Sequence, residues 1–169
     1  VIRDVRGLVT EIIDPIGNVT KVEHSPEGWT TKVINPDGSE KTMVYDGEGN
    51  LIETTNEIGA RAAAEYTVFN MISAVTDVDG GVTRYTYNTQ MERVAITNAD
   101  GHTWRFEHDL DGVVVKETDY SGQVTEIRQS VDGLRVDTIK GDDSITSIYN
   151  DAGWLIERHE VDDIVRFTR

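Results

Sequence analysis

The chain repeats itself every 21 residues, and that period restricts its fold more than any other property of the sequence. An Asp or Asn followed three residues later by Gly stands at Asp14/Gly17, Asn35/Gly38, Asn56/Gly59, Asp77/Gly80, Asn98/Gly101 and Asp119/Gly122. A looser series lies between these at Asp4/Gly7, Ser25/Gly28, Asp46/Gly49, Thr67/Asn70, Asn88/Met91, Asp109/Gly112 and Ser130/Gly133. The unit is thus two halves of 11 and 10 residues. Immediately before the looser series a column recurs as His24, Tyr45, Tyr66, Tyr87, His108 and Gln129. Near Lys140 the phase slips: Lys140-Gly141-Asp142-Asp143 replaces the usual turn, and Tyr149, Asn150 and Gly153 come one residue early. Glu160 to Asp163 fits a further degraded turn in the new phase.

Each half reads as a turn followed by a strand. Asp and Asn side chains bond the backbone two residues on, and Gly takes the positive φ that closes such a turn. The residues that follow, such as Val82-Thr83-Arg84-Tyr85-Thr86-Tyr87, are strand-length and rich in β-branched and aromatic types. Sixteen turn signals imply about fifteen short strands joined by tight connections, an all-β antiparallel meander. Ala62-Ala63-Ala64-Glu65 is helix-like in composition but stands in phase with strands on both sides, so it too is read as strand.

Strand side chains alternate between faces, so stacking the units shows what each face carries. One column is apolar: Val22, Met43, Ala64, Tyr85, Phe106 and Ile127. Its neighbours on the other face include Lys21, Arg84, Arg105, Glu23, Glu65 and Glu107. The other half-unit alternates less cleanly, because Leu51, Ile72 and Val114 are apolar beside the apolar column of Ile52, Val94, Val115 and Val136. Fifteen strands at ~4.8 Å would span about 70 Å in one sheet, and open sheets rarely exceed ~10 strands without curling. The expected architecture is one long meander sheet that curls as a spiral or partial tube.

The units Tyr45-Asp46-Gly47-Glu48-Gly49-Asn50-Leu51 and Asp77-Val78-Asp79-Gly80-Gly81-Val82-Thr83-Arg84-Tyr85-Thr86-Tyr87-Asn88 resemble the YD repeats of Rhs-family proteins. Asp109-Leu110-Asp111-Gly112 and Tyr149-Asn150-Asp151-Ala152-Gly153 agree, and the resemblance covers essentially the whole chain. It departs at Thr67 to Asn70, at Asn88 to Met91 and around Lys140. The family, with bacterial Rhs effectors, Tc toxin shell components and teneurins among its relatives, implies a β-strip that spirals into a hollow shell around a C-terminal toxic domain. On that resemblance, residues 1–169 are expected to be a single repeat array, a fragment cut within a repeat at both ends. Its implied role is a non-catalytic wall segment that encapsulates and helps deliver a toxin, secreted or associated with the cell surface. The implied partners are the remaining shell and the enclosed toxin polypeptide, with self-association through open sheet edges. Nothing in the sequence matches the boundary segment where bacterial members cleave themselves, so no catalytic residue is carried over.

Other chemistries fare worse. Sixteen Lys and Arg against 31 Asp and Glu give a net charge of −15, which opposes the phosphate contacts of nucleic-acid binding. The chain has no cysteine, which excludes disulfides and thiolate sites, and no apolar run approaches the ~18 residues of a membrane span. The carboxylate pairs Asp77/Asp79 and Asp109/Asp111 recur by period and do not converge, so they read as turn residues and not as a catalytic dyad. Asp77-Val78-Asp79-Gly80 opens like an EF-type loop but lacks the third ligand and the closing Glu. His24, His102, His108 and His159 have no metal-ligand spacing. No catalytic, cofactor-binding or metal residue is therefore assigned, and no cofactor. The alternative function is a carbohydrate-binding or cell-surface adhesion module using Trp29, Trp104 and Trp154, although such rings also serve to pack neighbouring strands.

Overall fold

The computed structural model describes residues 1–160 and 163–167. Among them every regular element is a strand, and the strands are antiparallel. They are β1 (Ile2–Arg3), β2 (Val9–Ile13), β3 (Val19–His24), β4 (Thr30–Ile34), β5 (Glu40–Tyr45), β6 (Leu51–Thr55), β7 (Arg61–Tyr66), β8 (Ile72–Thr76) and β9 (Val82–Tyr87). The order continues with β10 (Arg93–Thr97), β11 (Thr103–His108), β12 (Val114–Thr118), β13 (Val124–Gln129), β14 (Arg135–Lys140), β15 (Asp143–Tyr149), β16 (Leu155–Glu160) and β17 (Asp163–Arg166). Seventeen strands replace the expected fifteen, because sixteen connections join one more strand than they number. Ala62 to Glu65 lie in β7, as their phase required. The turn expected from Glu160 to Asp163 lies partly outside the described residues.

The chain divides into two compact units, Val1–Arg84 and Tyr85–Arg169. Each is a meander in which a strand pairs with its neighbours in sequence. From β2 to β13 five-residue and six-residue strands alternate, joined by five-residue loops such as Ser25 to Trp29 and Asn35 to Ser39. That alternation is the origin of the 11 and 10 residue halves.

A bulge recurs in the strands that follow the looser loops, with β14 as an exception. Glu23 faces Lys32 but His24 faces Thr30, leaving Thr31 as an extra residue in β4. The same register shift isolates Ile52 in β6, Ser73 in β8, Val115 in β12 and Ile156 in β16. Leu51 shares a face with its partner Tyr45 and Glu53 with Val44, so two residues that should lie on one face lie on opposite faces. The disturbed alternation around Leu51, Ile72 and Val114 has its cause here.

The phase slip also resolves into geometry. Lys140 pairs directly with Asp143, so a two-residue hairpin of Gly141 and Asp142 replaces a five-residue loop. β14 and β15 are each one residue longer than their counterparts, and the net loss is one residue. In the two units only Ala74 and Thr125 are buried among the described residues, so each unit is a single layer of sheet without a core.

Candidate functional site

The turns carry most of the polar chemistry. In the loop from Asp14 to Asn18, the Asp14 N–H donates to the Asn18 carbonyl at 3.0 Å, and Gly17, at φ 91°, donates to the Asp14 carbonyl at 3.1 Å. Asp14 Oδ1 accepts from the Ile16 and Asn18 N–H groups, both at 2.9 Å. The pattern recurs at Asp46, Asn56, Asn98 and Asp119, and Thr67 reproduces it with its hydroxyl. The side-chain amides of Asn18 and Asn50 hold the Asp14 and Asp46 carboxyls below the usual carboxylate range, and the Ser121 hydroxyl does the same for Asp119.

The acidic pairs singled out in the sequence are occupied in the same way. Asp77 Oδ1 accepts from Asp79 N at 3.0 Å and Gly81 N at 2.8 Å, and Asp109 Oδ1 from Asp111 N and Val113 N at 2.9 and 3.0 Å. No group of three His, Asp or Glu among the described residues is placed to hold a metal ion. The histidines are dispersed: His24 bonds the Val9 carbonyl through Nε2 at 2.8 Å, and His159 Nε2 meets Glu157 Oε2 at 2.8 Å.

His24 and Tyr66 show what their column does. The Tyr66 hydroxyl donates to the Leu51 carbonyl at 3.1 Å, fifteen residues back, the same separation as His24 from Val9. Each side chain thereby ties its strand to the start of the bulged strand immediately before it.

A second periodic contact was invisible in the sequence. At four places the last residue of a loop in the looser series lies against the left-handed residue of the next loop in that series, twenty positions on. Leu8 Cδ1 lies 3.6 Å from where a Cβ on Gly28 would stand, Trp29 Cζ2 2.7 Å from that of Gly49, and Glu92 Oε1 2.8 Å from that of Gly112. Asn50 Nδ2 donates to Asn70 Oδ1 at 3.0 Å in the same relation. The columns carry no mark of it, because it joins alternate loops and not adjacent strands.

No protein-family model matches the chain, and no curated protein matches it significantly. Solved structures do match. A TcdB2–TccC3–TEV crystal structure gives a TM-score of 0.77 over 98% of this chain and 11% of that one, at 16% identity. A Photorhabdus luminescens Tc holotoxin pore with a substituted TccC3 gives 0.66 over 85% and 9%, at 12% identity. The fold is Rhs-like. A TcdB2–TccC3–Cdc42 structure agrees, with 0.65 over 87% of this chain and 9% of that one. The chain spans about a tenth of the length of the solved chains it matches.

In this Rhs-like strip two of the tryptophans lie against other rings. Trp29 sits 5.4 Å from the Tyr45 ring, and Trp104 is stacked at 6.1 Å on Phe106 with the Tyr120 ring edge-on at 5.5 Å. Apolar rings and β-branched residues line one face at half exposure, whereas Lys21, Glu23, Glu65, Arg84 and Glu107 are exposed on the other. What this arrangement offers is two unlike surfaces, not a set of convergent reactive groups.

Proposed function

We propose that the chain is a non-catalytic wall segment of an Rhs/YD-repeat shell that encloses a C-terminal toxin polypeptide and helps deliver it outside the producing cell. The observation that carries this reading is the single layer without a core. A chain of 169 residues folding by itself would normally bury about two thirds of its surface around one hydrophobic centre. Here the apolar rows stay half exposed on one face while the other face is charged. Such a sheet separates two environments, as a wall does, and the fold likeness to Tc toxin chains points the same way. Curling of the strip into a spiral belongs to this proposal.

The test is to express the segment together with its flanking coding sequence, image the particles, and follow digestion of the C-terminal region by protease. Hollow particles with a C-terminal region digested at least tenfold more slowly than the same region alone are expected. A C-terminal region cut at the same rate in both forms, or particles without a lumen, overturns the reading.

A further inference from the structure

The column of His24, Tyr45, Tyr66, Tyr87 and His108 ends on a residue of another kind, Gln129, and a cavity stands beside it. Pairing between β2 and β3 stops at Glu11 and Lys21, and between β6 and β7 at Glu53 and Ala63. In the space beyond, the His24 imidazole reaches the Val9 carbonyl and the Tyr66 phenol donates to the Leu51 carbonyl. Each ring thus spans two strands and meets a backbone acceptor. β12 and β13 repeat the layout: pairing stops at Lys116 and Glu126, and Val114 opens β12 as Val9 opens β2 and Leu51 opens β6. Gln129, however, is exposed where the other five members of the column are half-buried, and its amide donates to the Gly133 carbonyl at 3.3 Å.

At the ring's place is a cavity of about 380 Å³ walled by Val113, Val114, Val115 and Ile127. The counterpart near Tyr66, lined by Leu51, Ile52, Ala63 and Ala64, is about 130 Å³ even though Ala64 is smaller than Ile127. Charged groups at the rim of the larger cavity are engaged with their own neighbours. Asp109 Oδ1 accepts from the Asp111 and Val113 N–H groups of its loop, and Arg128 Nη2 donates to Glu126 Oε2 at 2.9 Å. The cavity therefore presents aliphatic walls more than charge, which is the usual make-up of a small-molecule pocket. Val114 pairs with His108 as Leu51 pairs with Tyr45, so the register places the Val114 carbonyl where Leu51 presents its own.

We propose that this cavity binds a phenolic ring, whose hydroxyl donates to the Val114 carbonyl as the Tyr66 hydroxyl donates to that of Leu51. The inference goes beyond the shell reading and does not depend on it. Apolar space left where a side chain is missing takes up a small aromatic molecule of matching size. A backbone acceptor at the end of that space favours a ring carrying a donor over one without, because an apolar ring would leave the carbonyl unanswered.

Titration of the 169-residue chain with p-cresol, followed through the methyl resonances of Val113, Val114, Val115 and Ile127, tests this. Saturable shifts at those four residues are expected, and toluene, which lacks the hydroxyl, is expected to bind about fivefold more weakly. Gln129→Tyr supplies the ring from within the chain and is expected to weaken p-cresol binding at least tenfold, whereas Gln129→Ala leaves the cavity open and is expected to retain it. N-acetyltyrosinamide separates the sources of the ring: binding as tight as that of p-cresol assigns the site to a tyrosine side chain, and weaker binding assigns it to a free phenol. Shifts that are absent or do not saturate at millimolar p-cresol, toluene bound as tightly as p-cresol, or a folded Gln129→Tyr variant that binds undiminished overturns the proposal. The methyl shifts are read on the unmodified chain, so they decide the matter even where a substitution unfolds it.

Discussion

The two series of loops differ in how they are held, and the difference explains their sequences. In the strict series, Gly17, Gly38, Gly59, Gly80, Gly101 and Gly122 all face open space where a Cβ would be. Each loop must therefore close by its own residues, and Asx-x-x-Gly is kept at all six. Loops of the looser series lean on one another: Leu8, Trp29, Asn50 and Glu92 each reach the next loop, and Arg6 Nη1 donates to the carbonyls of Ser25 and Pro26 at 3.2 and 2.8 Å. With outside support, Ser25 and Thr67 suffice as openers, and Asn70 takes a positive φ of 58° where glycine is usual; Met91 takes one of 65° at the same place in the next loop of the series. A repeat relaxes its local sequence where tertiary contact shares the task.

The sharpest way to break this comparison is to load both series alike. Gly49→Val meets left-handed strain and also the Trp29 ring, and is expected to cost about 3 kcal/mol, whereas Gly80→Val meets the strain alone and costs about 1–2 kcal/mol. Urea midpoints give both values, and equal losses would refute the difference between the series. Asn98→Ala comes next. It removes the acceptor for Asp100 and His102 N–H in an unsupported loop and is expected to cost about 1 kcal/mol, read by the same titration. Met91→Gly relieves a strained position at the expense of a freer unfolded chain and is expected to stabilise by about 0.5 kcal/mol; a lower thermal midpoint would show that Met91 makes contacts worth more than its strain.

The smallest effect expected is on pH dependence. Asp14, Asp46 and Asp119 are held below their ordinary range in the fold, so their contribution is complete above the unfolded value of about 3.9 and drains away as pH falls through the folded value. Asp14→Asn keeps an acceptor oxygen without the charge and is expected to flatten the fall of the thermal midpoint below pH 4 slightly. An unchanged slope would remove Asp14 from that account.

The loops, the strands and the two faces were legible because they are properties of consecutive residues. Asp14 and Gly17 state a turn, and Val82 to Tyr87 a strand, whatever lies beside them. The bulge was not legible, since Ile52 is an extra residue only relative to Tyr45 and Val44 in another strand; its trace was the uneven alternation at Leu51. The slip at Lys140 announced a lost residue, but the exchange of a loop for longer strands depends on pairing between β14 and β15. The same limit applies to the candidate site: Trp29 stood out in the sequence, and the glycine turn that it receives did not.

Among the described residues of each unit a strand contacts only its immediate neighbours along the chain. Stability in such an assembly is close to a sum of nearest-neighbour terms, so it grows with length while no strand anchors a distant one. The strip then opens as a zipper does, from an end inward and one hairpin at a time. Amide exchange should accordingly form a gradient along each unit, with no slow centre of the kind a core provides.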